Sequence, residues 1–397
     1  MQTVNSIVRI CECFVKVLLW ENMLEVILYI LYAILLAVFI LGVWRLRYGL
    51  HHFRVTENIT GADVIEDMPS VTVCIPARNE DHAMSDCLKS VIANTYPKLE
   101  IIVHDDLSGD STSSLIKAFA KDGVRFIEGE ALPHGWLGKN NALHSLAKEA
   151  SGTYVLFMDV DTVLEPESIA QLVAYASNES VDMVSILPRR NDNWRASVFF
   201  APLRYFWEIV FHRPNAPATA SNAWMIHRQV LLQRFQGLES VKNDIQPEST
   251  ISAALMADNK YRFLIGTEAL GVSYQKKWRS QMETSIRLLF PLLGAKVLHS
   301  VMAVLDLLIV ASPLIILLAS IFTGWGAHQY IAVMFIIAYA GLYGAFTRKV
   351  RRHAGLIGAL VWPLIVVQEV VLIIISTLQY VRKKVTWKGR RVSLHSS

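Results

Sequence analysis

The chain has 397 residues, 53% of them hydrophobic and only 18% charged, with a mean hydropathy of +0.35, which is too apolar for a wholly soluble protein of this length. Its net charge of +4 is mild and sits in basic runs beside apolar stretches, which suits anionic lipid headgroups and argues against a nucleic-acid partner. The four cysteines, Cys11, Cys13, Cys74 and Cys87, show neither zinc-ligand nor disulfide spacing, a usage that matches a reducing compartment.

At the N-terminus, Ile7, Ile10, Phe14 and Leu18 are spaced for one apolar face of an interfacial helix. Residues 26–44 carry no charge, and nineteen such residues are enough to cross a bilayer core of about 30 Å. Arg45, Arg47, His51, His52 and Arg54 come next, whereas Arg9 and Lys16 upstream are offset by Glu12, Glu21 and Glu25, so the positive-inside rule puts the domain beyond residue 55 in the cytoplasm. The stretch is too long, begins too late and lacks the small-residue site of a cleaved signal peptide, so residues 1–55 are expected to form an interfacial helix and an anchor.

Residues 71–80 read as a buried strand ended by Pro76, with Arg78, Asn79 and Glu80 leading into a helix toward Ser90. A second strand near 99–105 ends in Asp105, Asp106 and Asp110, and Ser111 or Thr112 is placed to cap a helix carrying Leu115, Ile116 and Phe119. Residues 124–127 form a third strand, and 135–143 open a helix leading to a fourth strand that stops on Asp159 and Asp161. This alternation predicts a mostly parallel α/β sheet flanked by helices, whose ligand crevice lies beyond the carboxyl ends of the strands. Two carboxylates one residue apart suit Mg²⁺ or Mn²⁺, which take oxygen ligands and leave room for substrate phosphates. Each motif alone has a plainer reading: Asp105, Ser108, Gly109 and Asp110 as turn formers, Lys139 as a solvated helix-start lysine, Arg78 and Glu80 as a surface pair. A ligand site spread across the strand ends accounts for all of them together.

The blocks 75–80 (IPARNE), 105–110 (DDLSGD), 135–139 (GWLGK) and Asp159-Val-Asp161 resemble, in order and spacing, the signatures of inverting family 2 glycosyltransferases over about residues 70–290. With the tail at 385–390 (VTWKGR), the chain is similar to the membrane-bound subgroup that glycosylates lipids, including diaponeurosporenoate (carotenoid), hopanoid-associated and ceramide-type enzymes. The resemblance implies a nucleotide-diphospho-sugar transferase (GT-A) fold and a UDP-sugar donor. It implies further that Pro76, Arg78 and Glu80 line the nucleotide pocket, that Asp106 and Asp105 hold uracil and ribose, and that Lys139 lies near the nucleoside or diphosphate. Asp161, assisted by Asp159, would hold the divalent cation, Mg²⁺ or Mn²⁺.

An inverting transfer needs a base for the acceptor hydroxyl, and the family keeps an acidic pair at a helix start where this chain has 242–255. Glu248 takes the first acidic position and Ser249 the second, with Asp244 the competitor. Pro247 favours Glu248, because a proline suits the first turn of a helix and not its interior. A glutamate there is also favourable through the helix dipole alone. A carboxyl acceptor, already ionised near neutral pH, would fit the weakened pair. Processive relatives carry Gln-x-x-Arg-Trp after this helix, whereas here Gln275 and Trp278 are one residue too close, which favours transfer of a single sugar. Gln275 and Trp278 are candidates for the acceptor side, Trp278 equally for an interfacial anchor.

Beyond the enzyme domain, expected over 70–284, lie an interfacial helix at 285–300, apolar segments within 301–381 and a basic tail at 382–397. The basic runs 347–353 and 382–391 both look cytoplasmic although one apolar segment separates them; that segment, interrupted by Pro363 and Glu369, is either a re-entrant or interfacial pair of helices or a simple span. The expectation is a multi-pass membrane enzyme with a cytoplasmic catalytic domain and a lipid-soluble acceptor. A processive polysaccharide synthase and a catalytically degenerate UDP-sugar binder are the alternatives.

Overall fold

The computed structural model describes residues 2–52, 68–190, 206, 209–210, 217–275, 278–350, 354–387 and 390–391. A single helix, α1 (Gln2–His52), precedes the sheet domain, so the N-terminal amphipathic stretch and the anchor run on as one helix; side chains up to residue 22, and with them the expected apolar face, lie outside the description. The first half of the domain alternates as the periodicity predicts: β1 (Val71–Ala77), α2 (Asp81–Ile92), β2 (Leu99–Asp105), α3 (Thr112–Ala118), β3 (Val124–Glu128), α4 (Gly138–Glu149) and β4 (Tyr154–Met158). Then come β5 (Thr162–Leu164), α5 (Ser168–Asn178), β6 (Met183–Leu187), β7 (Arg189–Arg190), β8 (Ala223–His227), α6 (Arg228–Phe235), α7 (Pro247–Ala257), β9 (Tyr261–Ile265) and β10 (Val272–Tyr274).

Among the described residues, seven strands make the main sheet in the order β3-β2-β1-β4-β8-β6-β9. All neighbours are parallel except around β8, which runs antiparallel to both β4 and β6. Side chains alternate between the faces of a strand. In β1, Val71, Val73 and Ile75 therefore pack with Met84, Leu88 and Leu172 on one side, while Cys74 joins Leu143, Leu146 and Val155 on the other. That second core is continuous, through Phe206, Ile209 and Val210, with the apolar helices, where it includes Leu35, Tyr339 and Trp362. A small sheet, β5-β10-β7, braces the end of β4.

The amphipathic helix expected over 285–300 lies earlier, as α8 (Trp278–Leu292). Gly294 and Ala295 take left-handed backbone conformations (φ 76° and 55°) that end it, and α9 (Val297–Thr323) starts at once. After α9 come α10 (Ala327–Val350), α11 (Gly355–Val381) and a two-stranded hairpin of β11 (Thr386–Trp387) and β12 (Arg390–Arg391). Among the described residues, four helical stretches, Met23–Gly49, Val297–Phe322, Ala327–Lys349 and Gly355–Val381, are long and apolar enough to cross a membrane. The last is one unbroken helix through Pro363.

Candidate active site

The predicted strand ends converge. β1 and β2 are parallel and in register from Val71 opposite Leu99 to Ala77 opposite Asp105, which places Pro76 beside His104 and brings the chain after Ala77 alongside Asp106. Arg78 donates through Nη1 to the carbonyl oxygens of Asp106 and, at 3.2 Å, of Leu107, and its guanidinium stands 4.0 Å from the Asp106 carboxylate. The Leu107 backbone is left-handed (φ 54°), which costs a non-glycine residue about 1 kcal/mol. Asn79 also turns left-handed (φ 51°); its N–H donates to Ser108 Oγ at 2.9 Å and its Oδ1 accepts from Gly109 N at 2.8 Å. Glu80 donates its N–H to Thr112 Oγ1 at 2.8 Å. The loop after β2 is thus laced to the loop after β1, and Asp105 and Asp106 lie buried beneath it.

One expectation shifts here. Ser111 stands at the N-cap of α3 without a capping bond, and the Thr112 N–H is taken by Asp110 Oδ1 at 3.0 Å, leaving Ser111 Oγ to donate to Asp81 at 3.1 Å. A carboxylate near a helix start is the better acceptor, and the hydroxyls are used across the loops. Gly129 seals the far side of the carboxylates: a Cβ on it would meet the Asp105 carbonyl oxygen at 2.6 Å and Asp106 Cα at 3.0 Å. Burial holds the His104 imidazole below its usual value, against the pull of Asp106 and Asp105.

Lys139, in the first turn of α4, reaches the end of β4 and pairs with Asp159 Oδ1 at 2.5 Å. Asp159 is further fixed by its N–H on the Asn222 carbonyl at 2.9 Å, and Asp161 accepts through its carbonyl from the Gln275 N–H at 3.0 Å. Gln275 therefore touches the acidic strand end through its backbone. Trp278 opens α8, and its side chain lies outside the description. Among the described residues no group of three or more His, Cys, Asp or Glu converges as a metal cluster. The donor set at the strand end is two hard carboxylates, which fits a divalent cation that completes its sphere with phosphate oxygens and water.

Glu248 and Asp244 separate clearly. Pro247 begins α7, and Glu248 behind it is 2% exposed and lines a pocket with Trp136, Lys139, Ser221, Arg287 and Leu288. Asp244 is not in that lining; its Oδ2 accepts from Thr250 Oγ1 at 2.5 Å. One side of the pocket is the lysine that reaches Asp159, and another is α8. Sequence reasoning missed two residues that build it. Asn140, 2% exposed, points Nδ2 at the carbonyls of Val241, Lys242 and Asp244 at 3.1, 3.1 and 2.8 Å, which locks α4 to the chain entering α7. Arg287 sits in a helix whose leucines dominate its reading, and its only signal is a charge amid apolar residues.

Residues 72–241 match the family model described as Glycosyl transferase family 2. A probable glycosyltransferase, YdaM, of Bacillus subtilis is 31% identical over 137 residues, 33% of this chain and 32% of that protein. A poly-beta-1,6-N-acetyl-D-glucosamine synthase of Staphylococcus epidermidis is 30% identical over 126 residues, 31% of this chain and 30% of the relative. The chain thus spans about a third of the length of these relatives. Among solved structures, the mannosyltransferase PcManGT of Pyrobaculum calidifontis, in complex with GDP-Man and Mn²⁺, superposes with a TM-score of 0.53 at 19% identity, over 89% of this chain and 98% of that one. The fold is GT-A, a mostly parallel sheet between helices.

Proposed function

We propose that this chain is an inverting glycosyltransferase that moves a single sugar from a UDP-sugar to a lipid-soluble acceptor at a membrane. The observation that carries the reading is one pocket holding both ends of such a reaction: Lys139, bonded to Asp159, on the donor side, and buried Glu248 facing α8 on the other. Pro76, Arg78 and Glu80 border the nucleotide, Asp106 and Asp105 take its uracil and ribose, and Lys139 offsets diphosphate charge. Glu248 removes the proton from the acceptor as its oxygen attacks the anomeric carbon, and Asp244 holds Thr250 without touching substrate. Gln275 and Trp278 border the acceptor. Asp159 and Asp161 would hold Mg²⁺ or Mn²⁺, which when bound neutralises charge on the departing nucleoside diphosphate. The four apolar helices support a multi-pass membrane protein, and the charge bias around residues 26–54 supports a cytoplasmic catalytic domain. The lipid subgroup, with its carotenoid and hopanoid members, rests on the tail motif at 385–390 together with the block at 135–139.

A second reading, processive polysaccharide synthesis, is favoured by the poly-beta-1,6-N-acetyl-D-glucosamine synthase relative. The spacing of Gln275 and Trp278 weighs against it. The test is nucleotide release by the full chain in lipid nanodiscs with host lipid extract, a panel of UDP- and GDP-sugars and Mn²⁺ or Mg²⁺, beside Asp161→Ala. Release with one donor, a lipid heavier by one sugar, and loss of both in the variant support single transfer. A ladder of products supports the second reading, and donor binding without release in any extract refutes both.

A further inference from the structure

The basic runs at 347–353 and 382–391 have the composition of one membrane side, yet α11 lies between them. The packing of its two ends gives the reason. Chain order puts the C-terminal end of α1 beside the sheet domain, where a Cβ on Gly49 would meet the Ile209 carbonyl oxygen at 2.7 Å. α10 runs parallel to α1: His328 lies 3.2 Å from the Tyr32 hydroxyl, Tyr339 donates to Leu35 O at 2.8 Å, and Leu342 covers Gly42. It ends on the same side, where Phe346 packs edge-on against Phe206 at 5.4 Å. There α11 begins, with Gly355 against Gly344 and Gly358 against Thr347. Its other end is held by α8, the helix that contributes Arg287 and Leu288 to the pocket. Ser376 Oγ donates to Ile286 O at 2.6 Å and accepts from Phe290 N at 3.0 Å, while Tyr380 donates to Arg287 O at 2.7 Å and stacks on Phe290. Phe290, Tyr380 and Val385 cluster with Ile245, two residues before Pro247. Both ends of α11 are therefore on the side of the sheet domain, although its 27 residues, about 40 Å at 1.5 Å each, are long enough to cross.

We propose that α11 does not span the bilayer but lies along the leaflet on the sheet-domain side, with a lipid surface as its partner. Leu356, Leu360, Leu364, Val367, Val371 and Leu378 are exposed at intervals of three, four and seven residues, which makes one stripe, while Trp362, Ile365, Glu369 and Leu372 are buried against the protein. Arg348 and Lys349 stand near one end, and Arg382, Lys383 and Lys384 at the other, so anionic headgroups meet cations at both ends of an apolar face. Among the described residues the crossing helices are then three, α1, α9 and α10, and Arg348 and Lys349 fall on the same side as Arg382, Lys383 and Lys384. This rests on packing and stands apart from the reaction proposed above.

The test uses the full chain with a C-terminal protease-cleavable tag in sealed vesicles of both orientations, scored beside digestion of the sheet domain. The tag should be lost in the orientation that digests the sheet domain and protected in the other; the reverse overturns the proposal. Nitroxides on Leu356→Cys, Val367→Cys and Leu378→Cys, in a Cys11→Ser/Cys13→Ser background with Cys74 and Cys87 buried, should report depths within about 5 Å of one another, one helical turn. A larger spread means a helix that enters the bilayer core and overturns it.

Discussion

Replacing Asn140 tests whether the base helix is positioned from α4. The side chain is buried, and its two N–H groups serve three carbonyls, those of Val241, Lys242 and Asp244, so one contact is shared. Two hydrogen bonds at about 1 kcal/mol each, plus about 1–2 kcal/mol for a carbonyl left dry, give roughly 3–4 kcal/mol for Asn140→Ala. Asn140→Asp should cost more, because it aims a carboxylate at three carbonyl oxygens and keeps the shape while reversing the polarity. Thermal unfolding in nanodiscs, followed by tryptophan fluorescence, reads the order Asn, Ala, Asp; turnover should fall with it as Glu248 loses its register, while nucleotide affinity changes less. An aspartate variant as stable as the wild type would refute the reasoning outright, and so would two variants that lose stability equally with turnover intact.

Glu248→Gln should lower turnover by about 10²- to 10⁴-fold with donor binding retained, as expected of a lost general base, whereas Asp244→Asn should leave turnover within a few-fold; equal losses in a single-turnover assay would overturn the assignment. Gly129→Ala should cost about 1–3 kcal/mol and weaken UDP binding in calorimetry, because its Cβ meets backbone atoms of Asp105 and Asp106 that cannot swing aside; unchanged binding and melting would count against the tight seal. His104 and His144 are both held below the ordinary histidine value chiefly by burial, and His144 Nδ1 accepts the Leu238 N–H at 3.1 Å. The folded protein binds those protons more weakly than the unfolded chain, so their contribution is intact above about pH 6.5 and is lost as pH falls through the lower folded values. A His104→Gln/His144→Gln variant should therefore show a flatter acid limb in denaturant titrations, and an unchanged limb would exclude both histidines as its source.

The strand ends were legible because their information is local: an apolar run, a stop, and polar residues at the crevice within ten positions, as in Val71 through Glu80 and Tyr154 through Asp161. The preference for Glu248 over Asp244 came from one proline, and the pocket holds Glu248 alone of the two. What stayed hidden depends on partners distant in sequence. Asn140 reads as an ordinary helix-start asparagine until the chain returns a hundred residues later. The antiparallel β8 carries the same apolar letters, Ala223 through Ile226, as a parallel strand would, since direction leaves no mark on composition. The bounds of α8 are not legible in the sequence, because leucine spacing marks a helix face and says little about where Gly294 and Ala295 break it.

The backbone bond from Gln275 to Asp161 acts as an anchor. Only two residues separate that anchored position from Trp278, the first of the helix that skirts the pocket, so the height of the acidic strand end above that helix is set within a short tether. In the reaction proposed above, a centre held this way would have a focal depth: lipid acceptors whose reactive group rides at that height would meet it, and those carrying it deeper or farther out would pass by. On that proposal, lengthening the tether would shift the selected layer without altering a residue of the proposed chemistry.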